Sequence, residues 1–150
     1  MRIVIQRVSE ASVTIDGSIH GKIDMGFVVL LGIEEIDTEE DADFLIGKLA
    51  GMRVFSDPDG KMNLSIKDVR GAFLVISQFT LHASTKKGNR PSFIKAARPE
   101  QAIPLYEYFV KQLRACSELQ VETGVFGADM KVALVNDGPV TILMDSKNRE

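Results

Sequence analysis

Two short segments hold most of the side chains in this sequence that could take part in chemistry. The first is Ser77-Gln78-Phe79-Thr80, three hydrogen-bonding residues and one aromatic that follow directly after an apolar run. At the end of a buried strand, such a segment can present free backbone N–H groups, which could stabilise an oxyanion. A simpler interpretation stays open, because Ser and Thr hydroxyls at a strand end often only satisfy neighbouring backbone groups.

The second segment is Asn136-Asp137-Gly138-Pro139-Val140-Thr141, which is predicted to form a tight turn between two strands. Proline stands there where a two-residue hairpin would favour Asn-Gly. A Gly-Pro peptide bond can be cis. Two carbonyl oxygens would then point the same way into a pocket and accept hydrogen bonds from an ammonium group. An ordinary trans turn is the alternative.

Familiar catalytic motifs are missing from the sequence, which has no G-x-S-x-G elbow, no H-E-x-x-H helix and no Walker-type phosphate loop. His20 and His82 are isolated and do not build a zinc site, so no metal and no other cofactor is expected. Cys116 is expected to pack inward from a helix as a small hydrophobe. As the single cysteine it cannot form an internal disulfide, which suits the reducing cytoplasm.

The charge of the chain limits how it could bind nucleic acid. A formal net charge of -3 opposes binding that depends mainly on neutralising phosphates. Cations are nevertheless concentrated at Lys86, Lys87 and Arg90, with Lys95 and Arg98 beyond them. This basic loop is either a local RNA contact or a solvated loop. No apolar run approaches the roughly 20 residues that cross a bilayer, so no membrane is expected as a partner.

The elements that must position these segments follow from the hydrophobic pattern. The Asp16-Gly17 pair predicts a two-residue hairpin near the N-terminus. The run from 27 to 33 is uniformly apolar and predicts a strand buried on both faces. Strands are predicted at 2–8, 12–15, 18–23, 27–33, 72–76, 119–123, 130–136 and 140–144.

Two helices complete the predicted architecture. Asp37 or Thr38 caps the first helix, which ends near Gly51. The second begins at Pro99, and Pro104 inside it obscures where regular hydrogen bonding starts. The apolar residues at helical spacing are Ala42, Leu45, Ile46, Leu49 and Met52 in the first helix, and Ala102, Leu105, Phe109, Leu113 and Cys116 in the second. The pattern predicts one α+β domain, 1–150, with a mostly antiparallel, barrel-like sheet flanked by two helices.

Taken together, these segments resemble the D-aminoacyl-tRNA deacylase family, also called D-tyrosyl-tRNA deacylases, essentially from end to end. The resemblance is carried by segments 1–8, 60–63, 77–81, 88–93, 123–130 and 136–141, in which Ser77-Gln78-Phe79-Thr80-Leu81 and Asn136-Asp137-Gly138-Pro139-Val140-Thr141 are the most specific motifs. It implies a homodimer in which Gly138-Pro139 of one subunit, joined by a cis bond, enters the active site of the other. The Gly-Pro carbonyls would hold the substrate's α-amino group and exclude L-amino acids, while glycyl-tRNA would pass.

The same resemblance implies roles for further residues. The segment from Ser77 to Thr80 would line the pocket for the terminal adenosine and the ester, with backbone N–H groups near Phe79 and Thr80 as oxyanion donors. The ribose 2′-hydroxyl would help to activate water. The supporting residues would be Arg7, Met130, Asn136 and Thr141, and Lys86, Lys87 and Arg90 would meet the tRNA acceptor stem. The implied partners are aminoacyl-tRNA and a second subunit, with no DNA.

Three other functions remain open from the sequence. Thr80 could be the nucleophile of an ester hydrolase, with His82 as its base. The chain could also be a non-catalytic dimeric RNA-binding module that only holds an adenosine terminus. The third is a relaxed family member that edits mischarged L-alanine, which would be expected if the Gly-Pro bond were trans and the pocket wider.

Overall fold

One long strand organises the sheet in the computed structural model of the chain, which describes residues 1–149. This strand, β1 (Arg2–Ile15), pairs antiparallel with β3 (Gly26–Gly32) through residues 2–8 and with β2 (Ser18–Ile23) through residues 11–15. Its other edge pairs antiparallel with β8 (Lys131–Asp145) along nearly the whole strand. The two halves of β1 therefore belong to one curved, barrel-like sheet.

Parallel strands extend the sheet on the far side of β3. The strand β6 (Ala72–Ser77) lies parallel beside β3, and the short strand β7 (Val121–Thr123) lies parallel beside β6. The strand order is β2-β1-β3-β6-β7, with β8 on the free edge of β1. A separate hairpin joins β4 (Arg53–Ser56) to β5 (Met62–Ser65). The sheet is thus mixed, with antiparallel pairing wherever β1 takes part.

The N-terminal strands differ from the prediction in one respect. Residues 2–8 and 12–15 form one continuous strand rather than two. The exposed polar pair Ser9 and Glu10 interrupts the hydrophobic alternation, but β8 still pairs with Glu10 across a β-bulge. The predicted hairpin at Asp16-Gly17 is confirmed, and both residues have positive φ angles, 49° and 77°.

The predicted tight turn between 130–136 and 140–144 is wrong as a chain reversal. Both segments belong to β8 and pair with β1 in the same direction, since Val135 lies opposite Glu10 and Ile142 opposite Ile5. Between them, residues 137–140 bulge out of the strand. The physical reason lies in Pro139, which has no N–H for the ladder, so the chain leaves the sheet there and rejoins it at Thr141.

Both helices begin where the sequence predicts. The helix α1 (Glu39–Gly51) has Thr38 as its N-cap, and the Asp41 carboxylate accepts a 2.9 Å hydrogen bond from the Thr38 N–H. The helix α2 (Pro99–Ser117) contains Pro104. Within residues 1–149, neither helix is long and apolar enough to cross a membrane.

The predicted inward position of Cys116 is wrong, because this thiol is exposed. At about 100° per residue, the residue after it lies closer to the direction of Leu113. Accordingly Ser117 takes the buried place at the end of α2, and its hydroxyl donates a 2.6 Å hydrogen bond to the Leu113 carbonyl.

The sheet separates two apolar cores. One lies between the sheet and the two helices and contains Phe27, Phe73 and Phe109, all fully buried. The other fills the barrel and contains Val13 and Leu74. Because successive side chains of β6 enter opposite cores, this strand is buried on both faces. The predicted α+β architecture, a barrel-like sheet with two helices, is confirmed.

Candidate active site

An open cleft of about 330 Å³ lies where β3 and β6 end. One wall is formed by Ser77, Gln78 and Phe79, directly after β6, and the opposite wall by the segment 126–130. The remaining lining is apolar and includes Leu31 and Ile76 from the two strands, together with Ile33, Ala97, Ala102 and Val132. A volume of this size is in the range of ligand pockets, which are typically about 300–1,000 Å³.

The chain changes conformation as it leaves β6. The Gln78 N–H continues the parallel ladder with a 2.8 Å hydrogen bond to the Leu31 carbonyl, and Phe79–His82 then form a 3-10 turn. The N–H groups of Phe79 and Thr80, the first two in this turn, find no protein acceptor among residues 1–149. The Thr80 hydroxyl accepts a hydrogen bond from the Gln78 amide. The rim of the cleft therefore carries two free backbone donors.

The facing wall is fixed by packing between α2 and the sheet. Phe126 packs edge to face on Tyr106, with ring centroids 6.0 Å apart. The Tyr106 hydroxyl donates a 2.8 Å hydrogen bond to the Val75 carbonyl, and burial raises the pKa of Tyr106 to about 12. It therefore stays a neutral donor at neutral pH. Gly124 leaves room for the sulfur of Met130, since a side-chain carbon at Gly124 would overlap that atom.

The bulge of β8 presents Gly138 and Pro139 to solvent, joined by a cis peptide bond. Buried Arg7 holds the bulge, since its Nε donates a 2.9 Å hydrogen bond to the Asp137 carbonyl and its Nη1 donates to the Val54 carbonyl at 2.5 Å. Gly138 has a φ of 137°, and a side-chain carbon there would come within 2.9 Å of Arg7 Nη2. Only glycine fits this position without strain.

Hydrogen bonds from Asn136 close the base of the bulge. Its side-chain oxygen accepts a 2.9 Å hydrogen bond from the Val140 N–H, and its amide nitrogen donates to the Thr141 hydroxyl at 3.0 Å. Together with Arg7, these contacts hold the Gly-Pro pair away from the surface of its own sheet. We call residues 137–140 the clamp loop.

The structure sorts the sequence-predicted residues into three groups. Ser77, Gln78, Phe79 and Met130 line the cleft, and Thr80 lies half-buried beside it. The clamp loop, with Arg7, Asn136 and Thr141, forms a second group that does not line this cleft. Lys86, Lys87 and Arg90 are exposed on the loop after the 3-10 turn. One chain therefore does not bring its own clamp loop to its own cleft.

The two histidines differ in their surroundings. His20 is exposed, whereas His82 is 3% exposed and neither of its ring nitrogens has a hydrogen-bond partner among the described residues. The nearest carboxylate oxygen to it, in Glu34, is 4.0 Å from Nδ1. No hydrogen bond joins His82 to Thr80 in this part of the chain, so the geometry offers no Thr-His pair.

Several residues in the cleft or beside it were not identified as site residues from the sequence. Gly127, Ala128 and Asp129 line the cleft beside Met130, and Phe93 contacts Phe79 with ring centroids 5.1 Å apart. The available signal was their place in segments 123–130 and 88–93, which carried the resemblance. Leu31 and Ala97 also line the cleft, and their local sequence holds no such signal.

Comparison with known proteins identifies relatives over the whole chain. A family profile described as D-Tyr-tRNA(Tyr) deacylase matches residues 4–145. The D-aminoacyl-tRNA deacylase of Akkermansia muciniphila is 65% identical over 150 residues, which is the full length of both chains. The protein of the same name from Flavobacterium johnsoniae is 61% identical, again over the full length of both.

Solved structures share the fold. The "c-Myc DNA Unwinding Element Binding Protein" is 42% identical and superposes with a TM-score of 0.91, covering 97% of this chain and 98% of that one. A structure of "a probable eukaryotic D-amino acid tRNA deacylase" has a TM-score of 0.83 and covers 95% and 97% of the two chains. At 16% identity, the second comparison shows the fold alone.

The fold, the cleft and these relatives together define a hydrolase of aminoacyl-tRNA. More specifically, the chain belongs to the D-Tyr-tRNA(Tyr) deacylase family, which confirms the resemblance found in the sequence.

Proposed function

We propose that this enzyme hydrolyses the ester between a D-amino acid and the terminal adenosine of tRNA and leaves L-aminoacyl-tRNA intact. The observation that carries the proposal is the pair of free N–H groups, from Phe79 and Thr80, at the rim of a cleft large enough for a nucleoside and an aminoacyl group. Ester hydrolysis places negative charge on the former carbonyl oxygen, and preorganised backbone donors stabilise that charge.

The chemistry proceeds without a side-chain nucleophile. Thr80 already accepts a hydrogen bond from Gln78, and His82 is not bonded to it. Water therefore attacks the carbonyl carbon directly, assisted by the ribose 2′-hydroxyl beside the ester. Collapse of the tetrahedral intermediate breaks the bond to the ribose 3′-oxygen, which takes up a proton. The products are free D-amino acid and tRNA.

Selectivity for the D-configuration comes from a second subunit. In a homodimer, the clamp loop of one subunit enters the cleft of the other, and the carbonyls of Gly138 and Pro139 accept hydrogen bonds from the substrate's ammonium group. An L-side chain would then collide with the loop, whatever its chemistry. A clash built against one enantiomer discriminates more strongly than an added favourable contact. The contacts of Arg7 and Asn136 support this role because they hold the loop rigid and exposed.

The same steric exclusion predicts that glycyl-tRNA is hydrolysed. Glycine has no side chain to collide with the clamp loop, so glycine mischarged on tRNA(Ala) is also a substrate. We expect measurable release of glycine at enzyme concentrations that leave L-alanyl-tRNA intact. Equal hydrolysis of L-alanyl-tRNA would instead indicate the relaxed family member that edits L-alanine.

The rest of the tRNA is held by charge. Lys86, Lys87 and Arg90 are exposed and contact the phosphates of the acceptor stem, which lets an acidic protein bind RNA locally. Since the substrate is made where translation takes place, we assign the enzyme to the cytoplasm.

Multiple turnover separates this proposal from a binding module that only holds an adenosine terminus. With D-tyrosyl-tRNA in large excess, the protein should release many equivalents of D-tyrosine. The variant Met130→Arg, which places a long side chain in the cleft, should be slower by on the order of a hundredfold or more. Stoichiometric retention of intact D-tyrosyl-tRNA, with no release, would refute the enzymatic proposal.

A further inference from the structure

Two exposed aromatic rings have no role in the chemistry proposed above. Phe79 and Phe93 pack edge to face with ring centroids 5.1 Å apart, yet Phe79 is 55% and Phe93 37% exposed. Phe79 lines the cleft, whereas Phe93 does not. The second ring therefore continues the apolar surface of the first beyond the mouth of the cleft.

The backbone holds Phe93 in this place from both sides. Ser84 and Ser92 exchange two hydrogen bonds, of 2.8 and 2.9 Å, which close the intervening loop just before Phe93. After it, the Ala97 N–H donates a 2.9 Å hydrogen bond to the Ile33 carbonyl. The ring is thus presented by a fixed segment next to the cleft.

The chain segment that carries both rings is rich in cations. The stretch 69–99 contains six cations and no Asp or Glu, although the whole chain has a net charge of -3. Lys86, Lys87 and Arg90 lie in the loop closed by the Ser84–Ser92 bridge, are exposed, and form no ion pair among the described residues. A partner with negative charge and flat, apolar faces fits this surface.

Unpaired nucleotides have those properties. Proteins bind single strands by combining a basic groove along the phosphates with aromatic rings on which bases stack. If the terminal adenosine occupies the cleft beside Phe79, the nucleotide directly before it leaves at the cleft mouth, where Phe93 is exposed. Charge complementarity and this position both favour the single-stranded end of the RNA as the occupant.

We propose that Phe93 forms a stacking site for the base of the nucleotide on the 5′ side of the terminal adenosine, and that the single-stranded end continues from there towards the acceptor-stem phosphates at Lys86, Lys87 and Arg90. This inference rests on the proposed function, because it assumes that the cleft holds the terminal adenosine. It gives the aromatic residue of segment 88–93 a role in substrate binding. It also explains how a small cleft could favour a tRNA end over free adenosine esters.

Two substrates test the stacking site. One is D-tyrosyl-tRNA, and the other is D-tyrosyl-adenosine, which lacks every nucleotide before the terminal one. Phe93→Ala should lower kcat/KM on D-tyrosyl-tRNA about tenfold, the size of one base stacked on one ring, and leave D-tyrosyl-adenosine unchanged. Phe93→Tyr should restore activity on the tRNA. The neighbouring exposed residue provides a matched control, since Ile94→Ala should change neither rate.

A modified tRNA sharpens the assignment to one nucleotide. Removal of the base before the terminal adenosine should cost the wild-type enzyme about as much as Phe93→Ala does, and should cost that variant little more. An equal loss on D-tyrosyl-adenosine, or no loss on the tRNA, would overturn the stacking site. Failure of the proposed function is distinguishable, because the wild-type enzyme would then cleave neither D-tyrosyl substrate.

Discussion

The guanidinium of Arg7 bonds the clamp loop to the strand β4, donating to the Asp137 carbonyl at 2.9 Å and to the Val54 carbonyl from a second nitrogen. Two carbonyls in different elements are thereby held by one planar group. Lysine has a single nitrogen and cannot reproduce both directions. Arg7 therefore fixes the position of the clamp loop.

Arg7→Lys should reduce activity through the clamp loop more than it reduces the stability of the fold. We expect kcat/KM for D-tyrosyl-tRNA to fall at least tenfold, because the loop loses its fixed orientation, while thermal unfolding shows a folded protein. Hydrogen bonds from a charged group contribute roughly 1.5–3 kcal/mol, which sets the scale of the effect. Arg114→Lys is the matched control, since Arg114 bonds one carbonyl, that of Val121, on the far side of the sheet. Equal losses in the two variants would contradict a specific role for Arg7.

Mixed dimers test whether the clamp loop acts across subunits. Gly138→Ala damages the clamp loop, because the added carbon meets Arg7, and Met130→Arg blocks the cleft. Each variant alone should be inactive. A refolded equal mixture should recover about a quarter of wild-type activity, since half the dimers are mixed and each has one complete site. If cleft and clamp loop belong to the same chain, the mixture stays inactive, and light scattering on each variant shows whether dimers form.

Substitution at Thr80 tests the mechanism. Thr80→Ala should retain most activity, because it removes one local hydrogen bond worth about 0.5–1.5 kcal/mol, roughly a tenfold effect at most. A tRNA ending in 2′-deoxyadenosine should be nearly inert. Single-turnover rates of Thr80→Ala on the normal substrate, and of the wild type on the deoxy substrate, distinguish the two mechanisms. Threonine would be established as the nucleophile by two results together: a folded but inactive Thr80→Ala enzyme, and cleavage of the deoxy substrate by the wild type.

Local signals explain which parts of the fold could be predicted. Capping and proline preferences act within a few residues, so the starts of α1 at Thr38 and of α2 at Pro99 were readable. The continuity of β1 through Ser9 and Glu10 was not, because it depends on pairing with β8, over a hundred residues away. Cys116 was misplaced for a similar reason, since the helix alone leaves Cys116 and Ser117 nearly equivalent.

The sequence predicted only some of the residues that line the cleft. Ser77, Phe79 and Met130 stand in specific motifs, and the structure brings them to one cleft. Leu31 and Ala97 line it through their position at the sheet edge, which local sequence does not encode. The sequence indicated an irregular segment at 136–141 but predicted a chain reversal there, because pairing of both flanks with β1 is a property of the whole sheet.

Acid should destabilise the protein through Asp41. Burial raises the pKa of this carboxyl, but hydrogen bonds from Lys147 and from the Thr38 N–H outweigh burial and hold its pKa well below its usual range. A lowered pKa in the folded state means that ionised Asp41 stabilises the protein above about pH 4, and that this contribution is lost as the pH falls through the folded value.

Asp41→Asn should therefore lower the melting temperature at pH 7 by roughly 1–6 °C, the equivalent of about 0.5–1.5 kcal/mol, because it removes the negative charge that accepts hydrogen bonds from Lys147 and the Thr38 N–H. Its stability should also fall less steeply than that of the wild type below pH 4. Asp129→Asn is the control, because the Asp129–Lys131 pair is exposed and should contribute little. Identical acid unfolding of wild type and Asp41→Asn would show that Asp41 does not carry the effect.

The ratio of deacylation rates on D-tyrosyl-tRNA and L-tyrosyl-tRNA tests the central claim most directly. The two substrates differ only in the configuration at one carbon, so any difference in rate reports the chiral filter and not tRNA binding. We predict release of D-tyrosine at catalytic enzyme concentrations, with the L-ester decaying no faster than it does without enzyme. Comparable enzyme-dependent rates on both esters would contradict a D-specific deacylase.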